Sequence, residues 1–359
     1  MKTLILGGGA VGSVLGGYLS RGGRDVTIAD GWFQHVEAVR ENGLTVQSVE
    51  GEFTARPRMI HLDELRDAGT ADLVIVAGKA YDTRLLTLLA REHLHEGTVV
   101  MSSQNGMNDA ILGDLLGRDR VVACVVALGA DLLEPGVVRR SSAQSAPSVV
   151  VGRLFPEGDR VPEGDRATVE RIGAELEPLG GVEVVDDAWP DRWGKLTLNT
   201  MSNALAGLTG LWSDRLWSEP ESLDVMVALG HETASIAAAE GVAATPVLKR
   251  IPQRMLLDAV SVDSPAWAQA AAIMRDISAG RVGTRANRAS LLQDVMKGRR
   301  TEVDYLNGWV ARRGMELGVP TPTHELLVRE LRPVEAGDRL PAVENAVPIL
   351  AAVREWYRG

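Results

Sequence analysis

The sequence predicts an α/β first half, a doubly wound and largely parallel sheet, followed by an all-α second half. Three observations carry this. Short β-type runs alternate with helix-length amphipathic runs as far as Asp187, a glycine-rich string follows the first of those runs, and from Trp189 onward the chain is rich in Ala, Leu, Glu and Arg with almost no strand pattern. The expected domains are 1–187, binding a dinucleotide, and 188–359, carrying substrate and dimer contacts. A length of 359 residues suits two domains at roughly 150 residues each.

The β-type runs are Thr3–Leu6, Asp25–Ala29, Asp72–Ala77, Thr98–Met101 and Val121–Leu128. Further pieces at Gly136–Arg139, Ser148–Gly152 and Val182–Val185 are expected to extend the same sheet by hairpins or an edge. In the second half the apolar spacing predicts helices over 190–206, 220–240, 246–259, 264–279, 286–297, 302–317, 323–332 and 342–357. Gly241, Pro246, Gly280, Gly318, Pro320 and Pro322 punctuate them.

Composition excludes several classes. Hydrophobic residues at 45% and charged residues at 24% describe a packed globular chain, and a net charge of −10 opposes attraction to nucleic acid or anionic lipid, so neither is an expected partner. The one cysteine, Cys124, sits in an apolar run, and no apolar stretch reaches membrane-spanning length. The N-terminus reads as a strand rather than a signal peptide, so a cytoplasmic setting is expected. The six histidines form no spaced ligand set with Cys124, and no metal is expected.

Gly7-Gly8-Gly9-Ala10-Val11-Gly12 satisfies G-x-G-x-x-G between a predicted strand and a predicted helix. Gly7 permits the tight turn, Gly9 lets a pyrophosphate approach the backbone, and Gly12 lets helix and strand pack closely, while the amides at Ala10 and Val11 face the phosphate. Asp30 ends the second strand, where a carboxylate accepts the adenosine ribose hydroxyls and repels a 2′-phosphate. It favours NAD(H), with Arg24 and Arg40 as the nearby bases that offer a 2′-phosphate another route.

The basic residues are 33 Arg and only five Lys: Lys2, Lys79, Lys195, Lys249 and Lys297. Arginine does not release its proton in a protein, whereas a partly buried lysine does, so each lysine is worth attention. Lys195, Asn199 and Asn203 are spaced i, i+4, i+8 and share a helix face, aimed inward or at a ligand rather than at bulk water. Lys79 follows the strand ending at Ala77, at the sheet rim where such folds bind ligands, and Gln104-Asn105-Gly106 follows the next strand, either as rim residues or as an ordinary turn. Asn287, Ser290 and Asp294 fall at helical spacing. Thr301-Glu302-Val303-Asp304 reads as a capped helix start, with its two acids either complementing the dipole or serving a site.

Taken together, Gly7–Gly12, Lys79-Ala80, Gln104-Asn105-Gly106, the Lys195/Asn199/Asn203 helix, Asn287 with Ser290, Gln293-Asp294, Thr301–Asp304 and Leu306-Asn307-Gly308 resemble the ketopantoate reductase (2-dehydropantoate 2-reductase) family. The resemblance implies a Rossmann domain joined to an all-α domain of the 6-phosphogluconate dehydrogenase type, with the reaction in the cleft between them. It implies NAD(P)H-dependent reduction of the C2 ketone of a 2-oxoacid, most directly ketopantoate to pantoate, and a homodimer. By carry-over Lys195 is the general acid and Glu302 hydrogen-bonds near the reacting oxygen. Asn199, Asn203 and Asn287 hold substrate polar groups, Ser290 its carboxylate, and Lys79 and Asn105 the rim around nicotinamide and substrate. NADPH is the family default, yet this chain places Ala29-Asp30-Gly31 where relatives carry a basic residue. Additions around Trp212–Gly280 and after Pro333 set it apart from typical members. The alternatives are a relative acting on another ketone or hydroxy compound, separable by a substrate panel, and a non-catalytic nicotinamide-responsive protein, which would have little use for Lys195, Asn199 and Glu302 together.

Overall fold

Five parallel strands form the central sheet, and all but β5 are short runs rich in β-branched residues or leucine. In chain order the first unit comprises β1 (Lys2–Leu6), α1 (Ala10–Arg21), β2 (Asp25–Asp30), α2 (Phe33–Asn42), β3 (Leu44–Ser48), β4 (Gly51–Ala55), β5 (Arg58–His61), β6 (Leu73–Val76), α3 (Thr83–Ala90), β7 (Val99–Ser102) and α4 (Asp109–Leu116). It continues with β8 (Ala123–Val126), β9 (Ala130–Glu134), β10 (Val137–Arg140), β11 (Val149–Arg153), α5 (Gly164–Leu176) and β12 (Val182–Asp187). This computed structural model describes residues 1–154, 164–280 and 288–358, and the chain divides into two compact units, Met1–Trp189 and Pro190–Gly359.

The central sheet has the order β5-β2-β1-β6-β7, parallel throughout. Strand alternation sends Ile5, Ile75 and Met101 into one core with Val14, Leu15 and Tyr18 of α1. Leu4, Leu6, Val74 and Val76 enter a second core with Leu86 of α3 and Leu112 of α4. Helices thus cover both faces, as a parallel sheet requires. Cys124 lies in β8, fully buried in the first core.

The fold departs from two sequence expectations. The later strands do not all extend the central sheet: β10 joins a separate four-stranded sheet, β4-β3-β10-β9, while β12-β11-β8 forms a third. The third sheet meets the β7 edge through a parallel bridge between Val100 and Val121. The β3–β4 hairpin and the strands β5 and β9 are additional to those read from the sequence. The hairpin buries little beyond Leu44, Val46 and Ala55, so its apolar signal is weaker than that of a central strand.

The second unit contains α6 (Trp189–Thr209), α7 (Ser213–Leu216), α8 (Pro220–Ala239), α9 (Gln253–Asp258), α10 (Pro265–Ala279), α11 (Ser290–Met296), α12 (Asn307–Leu317), α13 (Pro322–Glu335) and α14 (Val347–Trp356). α6 and α8 are buried on most of their surface. The helix expected over 246–259 starts only at Gln253, because Pro246–Ile251 forms a tight turn in which Leu248 and Lys249 have φ of 52° and 59°. The helix expected over 302–317 is divided: Val303–Tyr305 forms one 3₁₀ turn, Leu306 leaves helical geometry, and α12 begins at Asn307.

Candidate active site

The glycine turn closes by direct backbone approach. A Cβ on Gly12 would lie 1.9 Å from the Gly7 carbonyl oxygen, and one on Gly7 would lie 2.5 Å from the Gly78 amide nitrogen, so neither position accepts a side chain. Gly7 also has a φ of 111°. A Cβ on Gly9, by contrast, would meet nothing within 4 Å. Gly9 is the N-cap of α1, with Ala10 and Val11 as its first two residues, so open space and free helix amides coincide where a pyrophosphate would sit, and the residues fit a bound dinucleotide.

A buried relay fixes this turn. His35 Nδ1 accepts the Gly136 amide at 3.0 Å, which leaves Nε2–H to donate to Ser13 Oγ at 3.1 Å, and Ser13 donates to the Gly8 carbonyl at 2.7 Å. Burial lowers the His35 pKa, opposed by the nearby Asp30 charge. Asp30 stands at the end of β2, where one carboxylate oxygen accepts the Gly8 amide at 2.6 Å and the other the Trp32 amide at 2.7 Å.

At the same strand rim, Lys79 precedes a 3₁₀ turn, Ala80–Asp82, and Gln104 follows β7. The Gln104 amide donates to the carbonyls of Gly78 at 2.9 Å and Lys79 at 3.0 Å, fastening the two rim loops together. The Gln104-Asn105-Gly106 segment is a turn, with Gly106 at φ 88° and the Asn105 carbonyl accepting Asn108 Nδ2 at 2.7 Å. Gln104 is therefore the fastener of the rim, although in the sequence it stands out only as a neighbour of Asn105.

In the helical unit α6 carries Lys195, Asn199 and Asn203 on one face, as their spacing predicts. Its buried hydroxyls satisfy themselves on the helix: Thr197 donates to the Trp193 carbonyl at 2.9 Å and Ser202 to that of Leu198 at 2.9 Å. The three site side chains line a cavity of about 160 Å³ together with Leu198, Ser202, Ala206, Ser213, Leu216, Trp217, Leu248, Arg288 and Ala289. Asn203 Nδ2 reaches Ser290 Oγ, the first residue of α11, at 3.3 Å, which brings Ser290 into the group. Burial, aided by the positive charge of Arg192, pulls the Lys195 ammonium down to about 8.

Glu302 is buried beside the Val303–Tyr305 turn but does not line this cavity. Its neighbours have structural duties: Thr301 donates to Glu335 at 2.7 Å and accepts the Val303 amide at 3.3 Å, and Asp304 pairs with Arg332. Asn287 lies outside the described residues. Arg192, Leu248 and Arg288 are not among the residues that the sequence singles out, and Trp217 reads there as core or interface. Arg192 lies on the site helix itself, one turn before Lys195, whereas Trp217, Leu248 and Arg288 reach the site only through folding.

The family described as ketopantoate reductase PanE/ApbA matches residues 3–153, and its C-terminal counterpart matches residues 187–335. The chain belongs to the ketopantoate reductase family. It is accordingly an NAD(P)-dependent oxidoreductase acting on CH–OH groups. A 2-dehydropantoate 2-reductase of Halobacterium salinarum is 29% identical over 336 residues, covering 92% of this chain and 98% of that protein. A PanE/ApbA family ketopantoate reductase from Ralstonia eutropha superposes with a TM-score of 0.73 at 29% identity, covering 94% of this chain and 99% of that one. D-mandelate dehydrogenase, solved with NADH and anilino(oxo)acetate, shares the fold at a TM-score of 0.77 and 22% identity, over 94% and 99% of the two chains. Among the described residues no helix is long and apolar enough to cross a membrane.

Proposed function

We propose that this chain reduces the C2 ketone of a 2-oxoacid, 2-dehydropantoate to pantoate foremost, with Lys195 as the general acid. The observation that carries the reading is a lysine held at about 8 in a cavity beside two inward-facing amides. A reduced nicotinamide supplies the hydride. As charge builds on the ketone oxygen, the Lys195 ammonium donates to it and surrenders its proton, which its lowered pKa makes easier. Asn199, Asn203 and Asn287 hold substrate polar groups, Ser290 takes the carboxylate, and Glu302 hydrogen-bonds near the reacting oxygen. Lys79 and Asn105 border the nicotinamide end.

Gly7, Gly9, Ala10, Val11 and Gly12 take the pyrophosphate. Each Asp30 oxygen accepts one backbone amide and keeps a lone pair for a ribose hydroxyl, which supports NAD(H) over the family's NADPH. The same reading takes the enzyme as a cytoplasmic homodimer; light scattering on the purified protein tests the oligomer.

The deciding experiment follows oxidation of NADH and of NADPH by purified protein with ketopantoate and other branched 2-oxoacids. Turnover of ketopantoate supports the proposal, and cofactor binding with no turnover on any 2-oxoacid removes it. In the same assay Asp30→Ala is expected to reduce the NADH preference; an unchanged ratio removes Asp30 from the ribose site.

A further inference from the structure

The cavity beside Lys195 is polar on one side and apolar on the other. Lys195, Asn199 and Asn203 supply its polar row, with Ser202, Ser213 and Arg288 as further polar lining, while Leu198 and Ala206 of α6, Leu216, Trp217 and Leu248 supply apolar surface. Of these walls Leu248 is the unusual one. It has a φ of 52° and is followed by Lys249 at 59°, a backbone region that side chains with a Cβ avoid and that glycine adopts freely.

The turn holding Leu248 is fixed from both sides. Val247 and Ile251 are buried and bonded to each other, amide to carbonyl, at 2.9 and 3.0 Å. At the other end Thr245 is pressed onto α6: its amide donates to the Pro190 carbonyl at 3.0 Å, and a Cβ on Gly194 would lie 2.4 Å from Thr245 Oγ1. The loop therefore docks on the site helix one residue before Lys195. A glycine at position 248 would relieve the backbone, yet the chain keeps a leucine there, half-buried and lining the cavity. Strain retained at a ligand-sized cavity points to a use for the side chain itself.

We propose that Leu248, with Trp217 and Leu216, forms the wall that receives the substrate's R group, and that this R group is bulky and apolar, a branched or ring-bearing carbon skeleton rather than a methyl or a charged chain. This rests on the 2-oxoacid reductase reading and deepens it. A cavity of about 160 Å³ has the size that accepts a molecule of benzene's order, and its lysine and amide groups stand on one row of α6, where the oxoacid end belongs. Arg288 also lines the cavity, with its guanidinium held 4.5 Å from the centre of the exposed Trp212 ring.

The test compares kcat/KM for 3,3-dimethyl-2-oxobutanoate, phenylpyruvate, pyruvate and 2-oxoglutarate in the wild type, Leu248→Gly and Leu248→Ala. The wild type is expected to favour the two bulky apolar acids. Both variants are expected to lower the ratio of bulky to methyl substrate by about tenfold or more, the worth of lost apolar contact in a specificity pocket. Glycine removes the wall and the strain together, whereas alanine removes the wall and keeps the strain, so a shared loss of preference belongs to the wall. Unchanged ratios in both variants, or a wild type that favours pyruvate or 2-oxoglutarate, overturn this inference while leaving a 2-oxoacid reductase standing. A wild type that reduces no 2-oxoacid overturns both.

Discussion

Lys195 combines two properties that rarely coincide in one side chain: it is charged at neutral pH, and burial beside Arg192 brings it within reach of losing its proton. With Lys195 as the proton donor, the rate of ketone reduction is expected to hold below about pH 8 and fall above it, read from a kcat profile. Lys195→Arg keeps the charge but not the transferable proton, and is expected to cost roughly 10²–10⁴-fold in kcat with cofactor affinity unchanged. Activity near that of the wild type in this variant would remove the lysine from the chemistry. At the glycine turn two substitutions should part company. Gly12→Ala drives a Cβ into the Gly7 carbonyl and should cost about 2 kcal/mol or more of stability along with dinucleotide binding. Gly9→Ala meets open space and should leave the melting temperature nearly unchanged while weakening binding, as calorimetry would show. These residues are legible in the sequence because each works within a few positions of its neighbours. Gln104 is less so, since its bonds to Gly78 and Lys79 join loops more than twenty positions apart.

At the scale of elements, α6 is the clearest case, because three polar residues at a four-residue period, set among apolar neighbours on a helix, mark a face that meets something other than bulk water. The Pro246–Ile251 turn is hidden for the opposite reason. Its leucine and lysine carry no turn signature for their left-handed backbone, and the neighbouring Thr245 packs on Gly194, far away in sequence. The buried junction of α8, α13 and α14 is equally silent. There Glu232 accepts the amides of Thr323 at 2.9 Å and His324 at 3.1 Å, and the Tyr357 hydroxyl at 2.9 Å. Burial nevertheless pushes its carboxyl up to about 7, and burial holds His324 down at about 3. Between about pH 4.5 and 7 folded Glu232 keeps a proton that the unfolded chain has lost, so its contribution to stability declines as pH rises through that window, by up to about 1.4 kcal/mol per unit. His324 acts in the opposite sense, its contribution being lost as pH falls from 6.5 toward 3. Glu232→Gln should be less stable than the wild type at low pH, with the deficit shrinking as pH rises from about 4.5 to 7. Urea unfolding followed by tryptophan fluorescence checks this; a pH-independent deficit would mean that Glu232 keeps an ordinary carboxylate pKa.

For the whole molecule, the change of texture at Asp187 shows in the sequence that two kinds of core succeed one another, and the structure gives each unit its own. The number of sheets does not show, since β3 pairs with β10 across some ninety intervening positions and no local pattern announces such a partner. The lone cysteine offers a separate use of this division. Cys124 is sealed in the first core, and the second unit contributes no thiol. A small disulfide reagent can therefore reach sulfur only when the first unit opens, and its reaction rate is a clock for that event alone. A dinucleotide bound to the closed form at a hundred times its Kd should slow the clock about a hundredfold. The wild-type chain thus comes with a site-specific reporter for the fluctuations of one half, and no label has to be engineered into it.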